Sequence, residues 1–267
     1  MTIWEAILLG IIQGATEFLP VSSSGHSVLV PLLFNLDTPS LGAVAIAHLG
    51  TLGAVLLYFR ADLAKIILGS WQAVQRRTLW QSADFRLAAW ITIGTIPAVI
   101  IGFLFKDFFD ALTDQPRVVA ALLLGTALIL VVGERLLSGR KQLADMNATD
   151  AVWIGLLQAL ALFPGISRSG STIMAGLFRG LNRELAARYS FLLGIPAILG
   201  GGLLSLLDLI GSGDTTPLLV YLTVLLVSFA VGYVCIVWLL RLVRRYRLYG
   251  FAIYCVLASI FFLVWLA

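Results

Sequence analysis

Long apolar segments follow one another along almost the whole chain and are separated by short polar loops. A helix needs about 20 apolar residues to cross the hydrocarbon core of a bilayer, and six segments come close to that length. They are Leu41 to Phe59, Leu87 to Phe105, Val118 to Leu137, Ala187 to Leu207, Leu218 to Leu240 and Phe251 to Leu266. The pattern therefore predicts an all-α polytopic membrane protein, with a single membrane domain over residues 1–267.

Two further apolar stretches are interrupted in the middle by polar, Gly and Pro residues. The first hairpin, Trp4 to Leu36, is broken at Pro20 to Gly25, and the second hairpin, Val152 to Leu181, is broken at Pro164 to Gly170. Because Pro and Gly interrupt helices, each stretch is predicted to form two helices joined by a polar loop.

The distribution of Lys and Arg predicts how the chain is oriented in the membrane. Fifteen of the 18 cations lie in loops around residues 60–86, 135–141, 179–188 and 241–247. The opposite loops contain only Lys106 and Arg117. Since an excess of Lys and Arg marks cytoplasmic loops, the first set is predicted to face the cytoplasm.

This orientation makes both hairpins re-entrant. Basic loops flank the second hairpin at both ends, so it is expected to enter and leave on the cytoplasmic side, whereas the first enters from outside if the N-terminus is outside. Each half of the chain is then a re-entrant helical hairpin plus three transmembrane helices. Three is odd, so the second repeat (about 146–267) is inverted relative to the first (about 1–145), a plan known from transporters.

The composition agrees with a membrane protein and excludes other classes. Apolar residues make up 60% of the chain and charged residues only 12%, against about 25% charged residues in soluble domains. The net charge is +4, but the cations cluster between spans and form no basic stripe with aromatic residues, so no nucleic-acid partner is expected. Cys235 and Cys255 lie in apolar segments and indicate no disulfide framework.

The first hairpin contains a candidate metal site. Non-helical backbone at membrane depth must line a wet cavity or be buried in protein, and ionisable residues there are functional candidates. Gln13 and Glu17 are four residues apart, so they share one helix face and offer oxygen atoms to a divalent cation such as Mg²⁺ or Ca²⁺. The alternative is a carboxylate that is hydrogen-bonded to the adjacent loop without a metal.

The polar break of the first hairpin contains three hydroxyl groups and an imidazole, from Ser22, Ser23, Ser24 and His26. Hydroxyl groups and free N–H groups at the start of a helix suit an anion, and a serine next to a histidine is the pairing of an activated nucleophile. Serine also caps helices routinely, but one serine is enough for a cap. We therefore interpret this cluster as functional.

The break of the second hairpin combines hydroxyl groups with one cation. Ser167, Ser169 and Thr172 surround Arg168, the one cation that lies outside the loops. A guanidinium matches the geometry of phosphate oxygens, so this segment is predicted to bind a phosphate group. The alternative is an ion pair between Arg168 and Glu17.

Both motifs resemble signatures of a known family. Glu-Phe-Leu-Pro-Val-Ser-Ser-Ser-Gly-His, from Glu17 to His26, and Pro-Gly-Ile-Ser-Arg-Ser-Gly-Ser-Thr, from Pro164 to Thr172, are similar to motifs of the bacterial undecaprenyl-diphosphate phosphatases, the bacitracin-resistance family. The resemblance implies hydrolysis of undecaprenyl diphosphate, which recycles the carrier lipid for peptidoglycan. It also implies a homodimer in the bacterial inner membrane, divalent-cation dependence and an outward-facing site. The first motif has Gln13 where some members have Glu.

The expected chemistry follows from these residues and the resemblance. Arg168 binds the diphosphate, a divalent cation on Glu17 and Gln13 offsets its charge, and Ser23 attacks the terminal phosphorus with His26 as base. His26 as nucleophile, or as the base that activates water, fits equally well. The residues expected to bind substrate are Gln13, Ser22, Ser24, Ser167, Ser169 and Thr172. The rival class is a transporter of a polyprenyl phosphate.

Overall fold

The structure is a computed structural model, which describes residues 1–36, 39–135, 139, 141–211 and 216–267. Twelve α-helices lie in this described part: α1 (Ile3–Phe18), α2 (Ser23–Leu33), α3 (Leu41–Tyr58), α4 (Arg60–Gln75), α5 (Ala83–Leu104), α6 (Lys106–Thr113), α7 (Pro116–Arg135), α8 (Ala148–Leu160), α9 (Arg168–Phe178), α10 (Arg183–Gly211), α11 (Leu218–Val243) and α12 (Tyr249–Trp265). Two 3-10 helices, Leu79–Gln81 and Leu143–Asp145, lie in the connections. The predicted all-helical class is confirmed.

Four helices are long and apolar enough to cross a membrane by themselves, namely α5, α7, α10 and α11. α3 qualifies only together with α4, from which it is bent by 73°. α12 is apolar but has 17 residues. The structure therefore supports four spans, or five with the bent pair, and the sixth span predicted from the sequence, α12, stays a prediction.

α4 was missed in the sequence because its charged residues place it in a basic loop. It begins with Arg60 and Asp62, yet Ile67, Leu68 and Trp71 expose most of their apolar surface. A helix with charged residues and an exposed apolar surface is typical of the membrane interface. The segment is better described as an amphipathic helix that follows α3 at a sharp bend.

Both hairpins are present, with breaks that begin and end earlier in the chain than the sequence indicated. The first consists of α1 and α2 joined by residues 19–22, and the second of α8 and α9 joined by residues 161–167. Ser22 caps α2 by accepting a hydrogen bond from the N–H of Gly25 (3.2 Å), and Ser167 caps α9 by accepting one from Gly170 (3.1 Å). Because of these caps, the last residues of each predicted break form the first turn of a helix.

Each hairpin packs against a helix of the other half of the chain. α1 lies along α11, and α8 lies along α5. Glycines allow close approach at both places: a Cβ atom at Gly14 would lie 2.8 Å from the carbonyl oxygen of Ser228, and one at Gly155 would lie 2.5 Å from that of Gly94. α5 is the second predicted span of the first half, and α11 is the second predicted span of the second half. Each hairpin therefore packs against the second span of the other half. This correspondence agrees with two related halves, and their inverted relation stays a prediction.

Ion pairs connect helix ends in the segments that the sequence assigns to the cytoplasm. The buried Asp150 carboxylate accepts hydrogen bonds from Lys141 (3.0 Å) and Arg179 (2.7 Å), and the buried Glu134 carboxylate accepts one from Arg183 (2.9 Å). Burial would raise the pKa of Asp150, but these donors outweigh burial and hold its pKa below the usual range. Several basic residues of these loops therefore form ion pairs that join helix ends.

Candidate active site

The tips of the two hairpins meet inside the protein. The hydroxyl of Ser169 donates to the carbonyl oxygen of Leu19 (3.1 Å), and the N–H of Gly165 donates to the hydroxyl of Ser24 (3.4 Å). Gly25 and Gly165 pack so closely that a Cβ atom at Gly25 would lie 3.2 Å from the Cα atom of Gly165. The two motifs, about 140 residues apart in the sequence, therefore form one polar cluster.

The carboxylate of Glu17 lies at the centre of this cluster and is only 7% exposed. Its Oε1 accepts a hydrogen bond from Nη2 of Arg168 at 2.7 Å. Its Oε2 accepts hydrogen bonds from the hydroxyl of Ser23 at 2.8 Å and from the amide of Gln13 at 2.9 Å. The ion pair between Arg168 and Glu17, considered as an alternative in the sequence, is present. Each carboxylate oxygen therefore has at least one donor, and the donors come from both hairpins.

The ion pair uses only part of the Arg168 guanidinium. Nη2 binds Glu17, whereas Nη1 is buried and has no hydrogen-bond partner among the described residues. Nη1 lies against Gly194 of α10, where any Cβ atom would overlap the guanidinium. A buried donor without a partner costs roughly 1 to 3 kcal/mol or more, so a site for an acceptor is expected here. The ion pair and an anion site therefore do not exclude each other.

The hydroxyl groups of the second hairpin are arranged in two ways. Ser167 and Ser169 lie side by side, with their Oγ atoms 3.2 Å apart. Thr172 is turned away: its fully buried hydroxyl donates to the carbonyl oxygen of Arg168 (2.8 Å) and contacts the hydroxyl of Ser190 (2.6 Å). The structure thus gives Thr172 contacts within the helix packing. The buried hydroxyl of Ser171 has no partner among the described residues.

The serines of the first hairpin surround its turn. Ser22 has a positive φ of 74°, which allows the chain to reverse before α2 begins. Its hydroxyl lies 3.2 Å from that of Ser24. Ser23 is the first residue of α2 and is hydrogen-bonded to Glu17. The cluster therefore contains both a capping serine, Ser22, and a serine held against a carboxylate, Ser23.

His26 is hydrogen-bonded to residues other than Ser23, the residue with which the sequence paired it. Its Nδ1 donates to the carbonyl oxygen of Ser22 at 2.8 Å, and its Nε2 accepts from the hydroxyl of Tyr254 in α12 at 2.7 Å. The two rings are stacked, with centroids 5.6 Å apart. Within the described residues no hydrogen bond joins Ser23 to His26, because the imidazole reaches to α12 while the hydroxyl reaches back to α1.

Two residues at the site were not selected from the sequence. Tyr254 lies in an apolar span, and no motif marks it. His48 of α3 also lies in an apolar span, where a histidine usually belongs to the core, yet its Nε2 is 3.9 Å from Oε2 of Glu17. An ionisable residue in an apolar span was the only sequence signal for His48, which left a position lining the cavity open, and contacts between distant parts of the chain reveal both residues.

The residues around Glu17 fit a divalent cation in part. No group of three or more His, Cys, Asp or Glu residues with metal-binding spacing occurs in the described part of the chain. The cluster does offer the Glu17 carboxylate, the Gln13 amide oxygen and the Ser23 hydroxyl. Mg²⁺ is usually held by one or two carboxylates, together with waters and substrate phosphates, so this donor set suits a cation that a diphosphate would complete.

Two openings lie beside the first hairpin. A cavity of about 170 Å³ lies beside α1 and is lined by residues from Met1 to Ile12 and by Pro31, Leu36 and Ser40. An apolar groove of about 460 Å³ is lined by Leu19 and Val21 of the first turn and by Trp238, Phe251 and Tyr254. The first is on the side that the sequence assigns to the outside. The second borders the His26 and Tyr254 pair.

Several helices are long and apolar enough to span a bilayer, and a buried polar cluster lies between the two broken hairpins. These features define an integral membrane protein. A family model described as bacitracin resistance protein BacA matches residues 6–261. The chain belongs to this family.

Curated relatives agree over nearly the full length. The chain is 42% identical to an undecaprenyl-diphosphatase of Synechococcus elongatus over 95% of this chain and 90% of that protein. It is 42% identical to an undecaprenyl-diphosphatase of Myxococcus xanthus over 99% of this chain and 89% of that protein. It is 41% identical to one of Mycobacterium marinum over 100% of this chain and 95% of that protein. Similarity therefore covers both hairpins and every helix between them.

Proposed function

We propose that this chain is a phosphatase that hydrolyses undecaprenyl diphosphate to undecaprenyl phosphate and inorganic phosphate. This activity recycles the carrier lipid for cell-wall synthesis and underlies bacitracin resistance. The observation that carries the proposal is the meeting of Arg168, Glu17 and Ser23 at the tips of the two hairpins. Relatives named undecaprenyl-diphosphatase, about 40% identical over nearly the whole chain, support the substrate class.

Arg168 is the residue that binds the diphosphate in this proposal. Its free Nη1 is one donor, and Nη2 becomes a second when it turns from Glu17 to a phosphate oxygen. Donors placed where charge develops are the main contribution of a protein to phosphoryl transfer. Ser167 and Ser169 of the second hairpin add hydroxyl donors. Ser22, Ser24 and Gln13 belong to the first hairpin, opposite them. Thr172 holds the start of α9 in place.

Ser23 is the proposed nucleophile. Its Oγ forms a bond to the terminal phosphorus, and the bond from that phosphorus to the bridging oxygen breaks, which releases undecaprenyl phosphate. The Glu17 carboxylate, which already accepts the Ser23 hydrogen bond, is placed to take the hydroxyl proton.

Water completes the reaction by attacking the phosphoserine: the bond from phosphorus to the Ser23 oxygen breaks, inorganic phosphate leaves, and Glu17 returns its proton to that oxygen. Nε2 of His26 takes the proton of this water. The hydroxyl of Tyr254, which is hydrogen-bonded to Nε2 in the structure, must first move away. A divalent cation, Mg²⁺ or Ca²⁺, held by Glu17 and Gln13 would neutralise part of the charge on the diphosphate. The homodimer, the inner-membrane location and the outward opening belong to this proposal.

Phosphate release by purified protein tests the proposal. Wild-type protein in detergent should release phosphate from undecaprenyl diphosphate, whereas Glu17→Ala should release at least about a hundredfold less. Glu184→Ala is the matched control, since Glu184 pairs with Arg244 far from the cluster. Wild-type activity in Glu17→Ala would contradict the site, and no release by wild type would favour the rival function, transport of a polyprenyl phosphate.

A further inference from the structure

His48 of α3 places Nε2 opposite the Glu17 carboxylate. Its Nδ1 lies 2.9 Å from the carbonyl oxygen of Val44. A carbonyl oxygen has no proton to donate, so Nδ1 carries the hydrogen and the lone pair of a neutral ring is on Nε2. Nε2 lies 3.9 Å from Oε2 of Glu17. Two acceptor atoms thus face each other across a gap that is too long for a direct hydrogen bond.

The gap has the dimensions and the surroundings of a cation site. Metal–nitrogen and metal–oxygen distances are about 2.0 to 2.2 Å, so two ligands of one ion lie about 3 to 4 Å apart. Oε2 is also 2.8 Å from the hydroxyl of Ser23 and 2.9 Å from the amide end of Gln13. Rotation of that amide by 180° puts its oxygen where the nitrogen lies. Three further ligand groups, from Ser23, Gln13 and His48, therefore lie within 3.9 Å of one carboxylate oxygen of Glu17.

The hydrogen bond of Nδ1 is the arrangement that metal-binding histidines use. Such residues usually donate their second ring N–H to a carboxylate or a backbone carbonyl, which fixes the tautomer and the ring orientation. In His48, the carbonyl oxygen of Val44 accepts this hydrogen bond. His26, the only other histidine of the chain, instead places Nε2 against the hydroxyl of Tyr254. The two histidines are thus distinguished by what faces Nε2.

We propose that His48 is a ligand of the divalent cation, with Nε2 binding the metal beside Glu17, Gln13 and Ser23. The inference rests on the cation site of the proposed function. Gln13 provides an amide in place of a second carboxylate, which would be the stronger metal ligand. His48 supplies a further strong metal ligand. A nitrogen ligand also changes the metal preference: imidazole suits first-row transition metals, of which Mn²⁺ binds most weakly, whereas an all-oxygen site suits Mg²⁺ and Ca²⁺.

Metal binding by the full-length protein in detergent tests this assignment without substrate. We expect wild type to bind Mn²⁺ more tightly than Mg²⁺ or Ca²⁺ in titration calorimetry. His48→Phe should lower the Mn²⁺ affinity at least about tenfold and change the Ca²⁺ affinity less. His26→Phe is the matched control, because it removes the other imidazole and should leave Mn²⁺ binding unchanged. Glu17→Gln should abolish binding, which separates this site from adventitious ions.

Electron spin echo spectroscopy of bound Mn²⁺ provides a direct readout of the ligand. Coupling to a histidine ¹⁴N nucleus should appear in wild type and in His26→Phe and disappear in His48→Phe. Absence of that coupling in wild type, or its persistence in His48→Phe, would overturn the assignment and leave a His48–Glu17 ion pair. Since neither measurement involves hydrolysis, failure of the phosphatase proposal shows separately, as wild type that binds Mn²⁺ but releases no phosphate.

Discussion

The ion pair between Arg168 and Glu17 allows stability and catalysis to be separated experimentally. Arg168→Ala removes the 2.7 Å contact and leaves a carboxylate that is 7% exposed without its cation. Breaking a buried pair in this way costs about 3 to 5 kcal/mol, and loss of the donors to the phosphate should lower kcat by about 10² to 10³-fold. Arg168→Lys keeps the charge but loses the two-pronged donor and should be less damaging to folding than to activity.

Arg183→Ala is the matched control for this experiment. Arg183 pairs with the buried Glu134 at 2.9 Å, in a cluster assigned to the cytoplasmic side. It should lose comparable stability, measured by thermal unfolding in detergent, while the folded fraction keeps most of its phosphate release. The measurements are the unfolding temperature and kcat per folded protein. If both variants lost activity in proportion to stability alone, or if Arg168→Lys were fully active, the reasoning about Arg168 would be refuted.

Three further changes should have defined effects. Gly194→Ala should lower kcat about tenfold or more, because its Cβ atom would displace the Arg168 guanidinium; normal kinetics in a phosphate-release assay would contradict that contact. Tyr254→Phe should destabilise the protein by about 1 to 3 kcal/mol in thermal unfolding, since it leaves Nε2 of His26 without its donor, and Tyr246→Phe, at an exposed tyrosine of the same groove, should not. Asp150 has a lowered folded pKa, so its stabilising effect should be complete above the unfolded pKa and be lost as the pH falls through the folded pKa. The stability difference between wild type and Asp150→Asn should therefore shrink below about pH 4, and a constant difference would contradict the assignment.

The spans and hairpins could be predicted because bilayer thickness acts on every segment of the chain. An uninterrupted apolar run of about 20 residues has few alternatives to a transmembrane helix, and Pro20 and Pro164 mark the breaks clearly. The limits of the breaks were less predictable, since a cap depends on one hydrogen bond, such as that from Gly25 to Ser22. α4 was missed because charge in a loop and charge on an interfacial helix look alike in sequence.

The members of the polar cluster were found from the sequence, but several of their partners were not. A buried Arg168 requires an acceptor, and so its association with Glu17 could be considered in advance. The sequence also placed Ser23 next to His26, which are three residues apart, yet each side chain prefers a partner from another helix. His48 and Tyr254 lie in apolar spans, where only tertiary packing determines which face meets the site.

The central claim is most directly tested by following the terminal phosphate of the substrate. Wild-type protein in sealed vesicles receives undecaprenyl diphosphate with ³²P in the terminal position only. The account predicts equal amounts of labelled inorganic phosphate and unlabelled undecaprenyl phosphate, and neither product with Arg168→Ala. Label that stays in the lipid while the lipid crosses the bilayer would contradict the account and identify a transporter.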